Sequence, residues 1–254
     1  MILTALLLGL IVGALLGLVG GGGSILAVPA LVYGVGLPLD EAIPTSLIVV
    51  GAASAVAVLP RLRTGVNWRI AGIIGGAGIP TAYLGTLVNR LVDPQLLLVA
   101  FSVIMLIAGV RMFFSTPTAS GPCFVPGGRI RWRGCLPRAL ATGVVVGFLT
   151  GLLGVGGGFL IVPALALVLG LPMGVTVGTS LVIIVINSIA GFSAHLSDVQ
   201  IDWAVTGAFA GTAMLASLIA ARLGRGLPDR VLKTSFAILV LLVAGYVAVR
   251  AVLG

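Results

Sequence analysis

The chain has 254 residues, 59% of them hydrophobic and 8% charged, with 38 glycines and a net charge of +8. A soluble domain carries about a quarter charged residues, so this composition excludes one and describes a chain whose solvent is lipid. The positive charge does not make it a nucleic-acid binder. The basic residues lie in short connectors between apolar runs, where such residues set membrane topology.

Taken in order, the apolar segments are 2–36, 42–60, 68–89 and 95–114, then 138–170, 175–194, 203–222 and 231–253. Each reaches or approaches the roughly 20 residues that span a bilayer. The opening run, MILTALLLGLIVGALLGLVG, has no basic region ahead of it, so it is expected to belong to the mature fold rather than to a cleaved signal. Segments 2–36 and 138–170 are too long for single straight spans, because at ~1.5 Å per residue each would make a helix of roughly 50 Å against a ~30 Å hydrocarbon core. A glycine cluster interrupts each: Gly20 to Gly23 in one, Gly154, Gly156, Gly157 and Gly158 in the other, followed by Pro29 or Pro163. Glycine is costly inside helices and proline is tolerated near a helix start, so the pattern predicts a stop and a restart.

Between the halves, 115–137 holds Pro117, Pro122, Pro126, Gly127, Gly128, Arg129, Arg131 and Arg133, the make-up of a solvated linker. The expected organisation is an N-terminal transmembrane repeat, 1–114, a cytoplasmic linker, 115–137, and a C-terminal transmembrane repeat, 138–254. The linker carries both cysteines, Cys123 and Cys135. They could cross-link a small hairpin around Gly127-Gly128, but two thiols make no metal site, and in a reducing cytoplasm they are expected to stay free.

Residues 13–47 recur at 147–181 without a gap, at a constant offset of 134, with 18 of 35 positions identical. Two similar halves create a site at their interface, and small movements between them expose it to either side, which is how many secondary transporters are built. Charge indicates whether the long segments cross or double back. As single crossings they divide the basic residues nine to five; as hairpins they leave only Arg90 and Arg250 opposite the other twelve. The positive-inside rule therefore favours hairpins, with both termini outside. Each half then makes an odd number of full crossings, so the copies are inverted. The predicted fold is an all-α integral membrane protein of two inverted repeats, each a broken helix or hairpin plus three transmembrane helices, multi-pass in the cytoplasmic membrane.

A glycine cluster opening a helix leaves backbone N–H groups unpaired beside a partial positive charge, an anion site that needs no cationic side chain. The candidates are Gly20, Gly21, Gly22 and Gly23 in the first copy and Gly156, Gly157 and Gly158 in the second. Ser24 adds a hydroxyl, as do the pairs Thr45-Ser46 and Thr179-Ser180 at identical repeat positions, and Asn187 adds an amide where the first copy has Ala53. Neutral donors suit a small oxyanion that must be released again. Packing competes as an explanation for scattered small residues such as Gly75, Gly76, Ala77 and Gly78, and serine and threonine also cap helices or bond to their own backbone. GLVGGGGS is no dinucleotide fingerprint, because the strand and the downstream acidic residue that would support one are missing.

The pattern G-x-x-G-x-G-G-G-x-x-x-x-P from Gly151 to Pro163, with Leu-Pro and Thr-Ser following and a near copy in the first half, resembles the TauE/SafE family, the sulfite exporters and sulfonate permeases. The likeness covers nearly the whole chain. It implies carriage of a small sulfur-containing anion: sulfite, a sulfonate, sulfoacetate or a similar organic anion. The first copy departs from the second in having Gly21 for Val155 and Ser24 for Gly158, an asymmetry that could place the anion closer to one half.

The expected function is therefore a secondary transporter working by alternating access, with the lipid bilayer and the anion as partners, no nucleic acid, no cofactor and no metal. Whether it forms a homo-oligomer stays open. Export is the expected direction: each negative charge leaving a cytoplasm at negative potential gains about 2.3 kcal/mol per 100 mV, and no Asp or Glu lies mid-span to couple uptake. A passive anion channel is the alternative. A membrane-embedded enzyme is weaker, for want of a nucleophile triad, a metal cluster or paired buried carboxylates, and His195 beside Asp198 reads as an interfacial histidine.

Overall fold

A computed structural model describes residues 2–63, 65–89, 91–115, 123–125, 129–130, 132–153, 158–193 and 201–253. The expectations resting on Pro117, Pro122, Pro126, Gly127, Gly128, Arg131, Gly154, Gly156, Gly157, His195 and Asp198 lie outside these residues. Helices α1 (Ile2–Val19) and α2 (Gly22–Pro29) are followed by α3 (Leu39–Val58), α4 (Trp68–Asn89) and α5 (Pro94–Phe114). The second half repeats the series with α6 (Trp132–Leu153), α7 (Gly158–Pro163), α8 (Met173–Ser193), α9 (Trp203–Gly224) and α10 (Asp229–Leu253). Eight of these helices are long and apolar enough to cross a membrane. Helices are what so apolar a chain must form, because lipid offers no partner for backbone N–H and C=O groups.

The first long segment is broken, as its glycines predict; in the second, α6 runs to Leu153 and α7 from Gly158. Gly20 ends α1 in a left-handed conformation, φ +79°, which any side chain would disfavour. The chain then doubles back along α1: a Cβ at Gly23 would meet Val12 and Leu16, and one at Gly34 would meet Leu8. The prolines play a different part from the one expected. Helix α2 restarts at Gly22, and Pro29 closes it where the winding loosens to a π-helix over Ala30–Val35; Pro163 and Ala164–Val168 repeat the arrangement. A proline ring crowds the carbonyl four residues back and supplies no N–H, and the wider turn accommodates both defects.

The two halves interlock by exchange. Helix α1 packs on α9 and its repeat equivalent α6 on α4, while α3 meets α8 and α5 meets α10. The α1/α9 seam is a stripe of glycines four apart, Gly9, Gly13 and Gly17, against Phe209, Ala213 and Ser217. The α6/α4 seam repeats it with Gly143, Gly147 and Gly151 against Ile74, Gly78 and Ala82. Such stripes let backbones approach in a solvent that provides no hydrophobic drive between helices. Gly78 takes the packing role expected of it and Gly75 lies against Ile186, whereas nothing approaches Gly76. Helix starts are matched too: Asn67 accepts from the Ile70 N–H at 3.1 Å ahead of α4, and Asp202 accepts from the Ala204 and Val205 N–H groups at 2.9 and 3.2 Å ahead of α9. A tryptophan follows each cap. Helices α3 and α8 cross antiparallel, with Leu47 near Gly191 and Gly51 near Ser188.

Two expectations about the connectors are corrected. Cys123, just ahead of a two-residue strand pair in which Phe124 faces Ile130 and Val125 faces Arg129, and Cys135, in the first turn of α6, were expected free and are disulfide-bonded. The hairpin brings their Cα atoms to 4.9 Å, within the reach of a disulfide. Such bonds persist on an oxidising face, so the pairing speaks against a cytoplasmic linker while the distribution of basic residues speaks for one. Helix α6 also begins at Trp132, so the last six residues of the expected linker are helical.

Candidate functional site

The glycine break of the first half is packed against the second half, at Gly158 and at α8. A Cβ on Gly21 would fall well inside 3.0 Å of the Gly158 carbonyl oxygen, and one on Gly158 would lie 2.6 Å from Ser24 Oγ. Gly20 is pressed equally closely on α8, 2.7 Å from Ser180 Oγ by the same measure. The restarting helices α2 and α7 thus meet start to start, with Ser180 at their edge. The leading N–H groups of a helix start have no helical partner of their own in general, and the partial positive charges of two such starts add where they meet.

The hydroxyls are buried but already engaged. Ser24 donates to the Gly21 carbonyl at 2.6 Å, Ser46 to Ile43 at 2.7 Å and Ser180 to Val177 at 2.9 Å. These are the backbone bonds that compete with a binding role. A neutral bond of this kind contributes about 1 kcal/mol and a bond to a charged group about 1.5–3, so a rotation from carbonyl to anion is downhill where an anion is within reach. Only Ser24 and Ser180 lie beside the glycine junction. Thr179 accepts from the Asn67 N–H at 3.0 Å and so ties α8 to the start of α4. Thr45 is buried, and Asn187 is half-buried on α8. Gly22 and Gly23 face away from the junction, towards Leu239 and Leu16 respectively. Gly156 and Gly157 fall outside the described residues.

The sequence reading missed several polar groups. Ser54 is fully buried with no hydrogen-bond partner, and its repeat equivalent, Ser188, is buried against Gly51; the constant offset that singled out Thr45-Ser46 would have found both. Ser217 bridges α9 to the Ala53 carbonyl at 2.9 Å. Asp229 accepts from the N–H groups of Met173 and Gly174, both at 3.3 Å, and so caps α8 from α10. The basic connectors need correction as well: Arg61 and Lys233 are buried, 3% and 8% exposed. Lys233 donates to the Ser115 carbonyl, whereas Nε and Nη2 of Arg61 have no partner among the described residues. Among the described residues no group of three or more His, Cys, Asp or Glu side chains could hold a metal.

A family model described as sulfite exporter TauE/SafE matches residues 5–247. A probable membrane transporter protein of Xylella fastidiosa (strain 9a5c) is 33% identical over 247 residues, covering 94% of this chain and 92% of the relative. A probable membrane transporter protein of Methanocaldococcus jannaschii is 30% identical over 200 residues, covering 76% and 71% respectively. The probable membrane transporter protein YunE of Bacillus subtilis is 26% identical, with 93% of each chain covered.

Proposed function

Because the chain belongs to the TauE/SafE family of membrane transporters, we propose that it is a secondary transporter that binds one small sulfur-containing oxyanion where its two glycine breaks meet. The observation that carries this reading is the contact of Gly21 with Gly158, flanked by Ser24 and Ser180. Two helix starts and two hydroxyls from opposite halves converge there. Neutral donors hold an oxyanion without the tight grip of a buried arginine, so release costs less.

In this reading the halves are inverted repeats. The antiparallel crossing of α3 with α8 and the matched exchange of α1 and α6 between halves support it. A site formed by both halves is opened to one side or the other when they rock, which is alternating access. The membrane potential then drives the anion outward without a coupled ion. Reconstitution tests the reading: sulfite efflux from proteoliposomes should saturate, show trans-stimulation and rise with an inside-negative potential. Flux linear in concentration and indifferent to anion on the far side would instead describe a channel.

A further inference from the structure

A second constellation lies where α3, α8, α9 and α10 end together. Arg61 follows α3, is 3% exposed, and has two guanidinium nitrogens without a partner among the described residues. It borders a cavity of about 350 Å³ whose lining includes Gly65, Gly174, Gly224, Arg225 and Asp229. At ~30 Å³ per water molecule this volume admits an oxyanion of four or five heavy atoms together with part of its hydration shell. Gly224 makes room for the guanidinium, since a Cβ there would sit 3.0 Å from Nη2.

The charges do not balance. Arginine stays protonated in proteins, and a buried cation without a partner is strongly destabilising. Asp229 is the acid in the lining, but its two oxygens already accept the Met173 and Gly174 N–H groups, and no ion pair joins it to Arg61 among the described residues. The other charged residue of the lining, Arg225, is a second cation. Two guanidiniums face a small polar cavity with one committed carboxylate.

The geometry points to a second anion site, in which Arg61 and Arg225 hold a small oxyanion at the linker end of the molecule. Six residues of α8 separate Gly174, in this lining, from Ser180, at the glycine junction, a rise of about 9 Å. The site is thus a station about 1.7 helical turns from the proposed transport site. It takes the same chemistry, tetrahedral or pyramidal oxyanions, and its assignment as a station rests on the transport reading while its existence as a site does not. The phosphate of an anionic lipid headgroup presents the same groups, so the occupant is either a free oxyanion or such a headgroup.

Thermal unfolding of the purified, delipidated full-length protein in neutral detergent, titrated with sodium sulfate at constant ionic strength, tests the inference. Sulfate should raise the melting temperature saturably, and Arg61→Gln and Arg225→Gln should each weaken the Arg61-dependent component tenfold or more, while exposed Arg63→Gln should not. Arg225 is exposed, so its variant reports even if Arg61→Gln folds poorly. Running the titration in Gly21→Ala, which disrupts the junction, separates the sites: the Arg61-dependent component should survive there, whatever becomes of the transport reading. If phosphatidylglycerol micelles remove the sulfate response of the wild type, and the arginine variants bind that lipid less, the headgroup is the occupant and the site stands. Arg61→Gln and Arg225→Gln that respond to both sulfate and lipid as the wild type does, or a wild type that responds to neither, would overturn it.

Discussion

Substituting Gly21 by alanine separates the claim that the junction binds an anion from the claim that its glycines only pack. Gly21 has φ −69° and ψ −14°, a right-handed conformation that alanine adopts without strain, and it is the N-cap of α2, where alanine brings no gain over glycine. The cost is one methyl group driven into the Gly158 backbone. Backbone cannot swing aside, so the helix starts must part, at an overpacking cost of about 1–3 kcal/mol of stability. Binding should fall as well, because parting the helix starts removes hydrogen bonds to a charged group, each contributing about 1.5–3 kcal/mol, or roughly a 10- to 100-fold fall in affinity. Gly22→Ala is the control: its Cβ would meet the Leu239 Cδ2 atom at 2.7 Å, the movable end of a side chain, so both affinity and melting temperature should stay near wild type. Sulfoacetate binding and thermal unfolding on the two variants decide it. If Gly21→Ala binds within about threefold of wild type, or Gly22→Ala loses as much as it does, the glycines pack and do not bind.

Alanine at Gly13 or Gly147 drives a methyl into the Ala213 or Gly78 carbonyl across a helix seam; thermal unfolding should show about 1–3 kcal/mol of destabilisation, with the anion affinity of the folded fraction unchanged. Thr179→Ala leaves the Asn67 N–H without its acceptor and should cost about 1–3 kcal/mol of stability, whereas Ser180→Ala, which removes only a bond within its own helix, should weaken anion binding instead; the reverse pattern would exchange their roles. Sidedness follows from charge set at insertion: with the linker inside, the Cys123–Cys135 bond should resist an impermeant reductant in intact cells, and an impermeant maleimide added after it should label neither cysteine until the cells are permeabilised. A bond that opens to the impermeant reductant in intact cells, with both thiols then labelled, would put the linker outside and reverse the topology.

The sequence displayed the breaks because a glycine run is a local signal, and it displayed the repeat because the offset is constant from Gly13 to Leu47. It could not display the contact of Gly21 with Gly158, since residues 137 positions apart share no local pattern. Nor could it say which glycine of the cluster faces that contact. Gly22 is as conspicuous as Gly21 in the sequence, yet a 100° step around the helix turns it towards Leu239. The glycine stripes were readable from their four-residue spacing. Arg61 was not, because Pro60-Arg61-Leu62-Arg63 has the look of a solvated connector, and the close approach of Gly224 at the end of α9 to its guanidinium joins residues far apart in the chain. The cysteines were misjudged for another reason: compartment was used to decide their state, when the hairpin had already placed them side by side.

The central claim is that one anion is held by both halves at once. Ser24 and Ser180 flank the junction from opposite repeats, so Ser24→Cys and Ser180→Cys, each in a background with Cys123 and Cys135 replaced by serine, can report from either side. Their conversion to mixed disulfides by a small thiosulfonate, which leaves as a sulfinate, should be slowed in proteoliposomes by sulfoacetate, and the half-protecting concentration should be the same for both. Protection of one cysteine without the other, or half-protecting concentrations that differ tenfold, would mean that the two halves do not share a site.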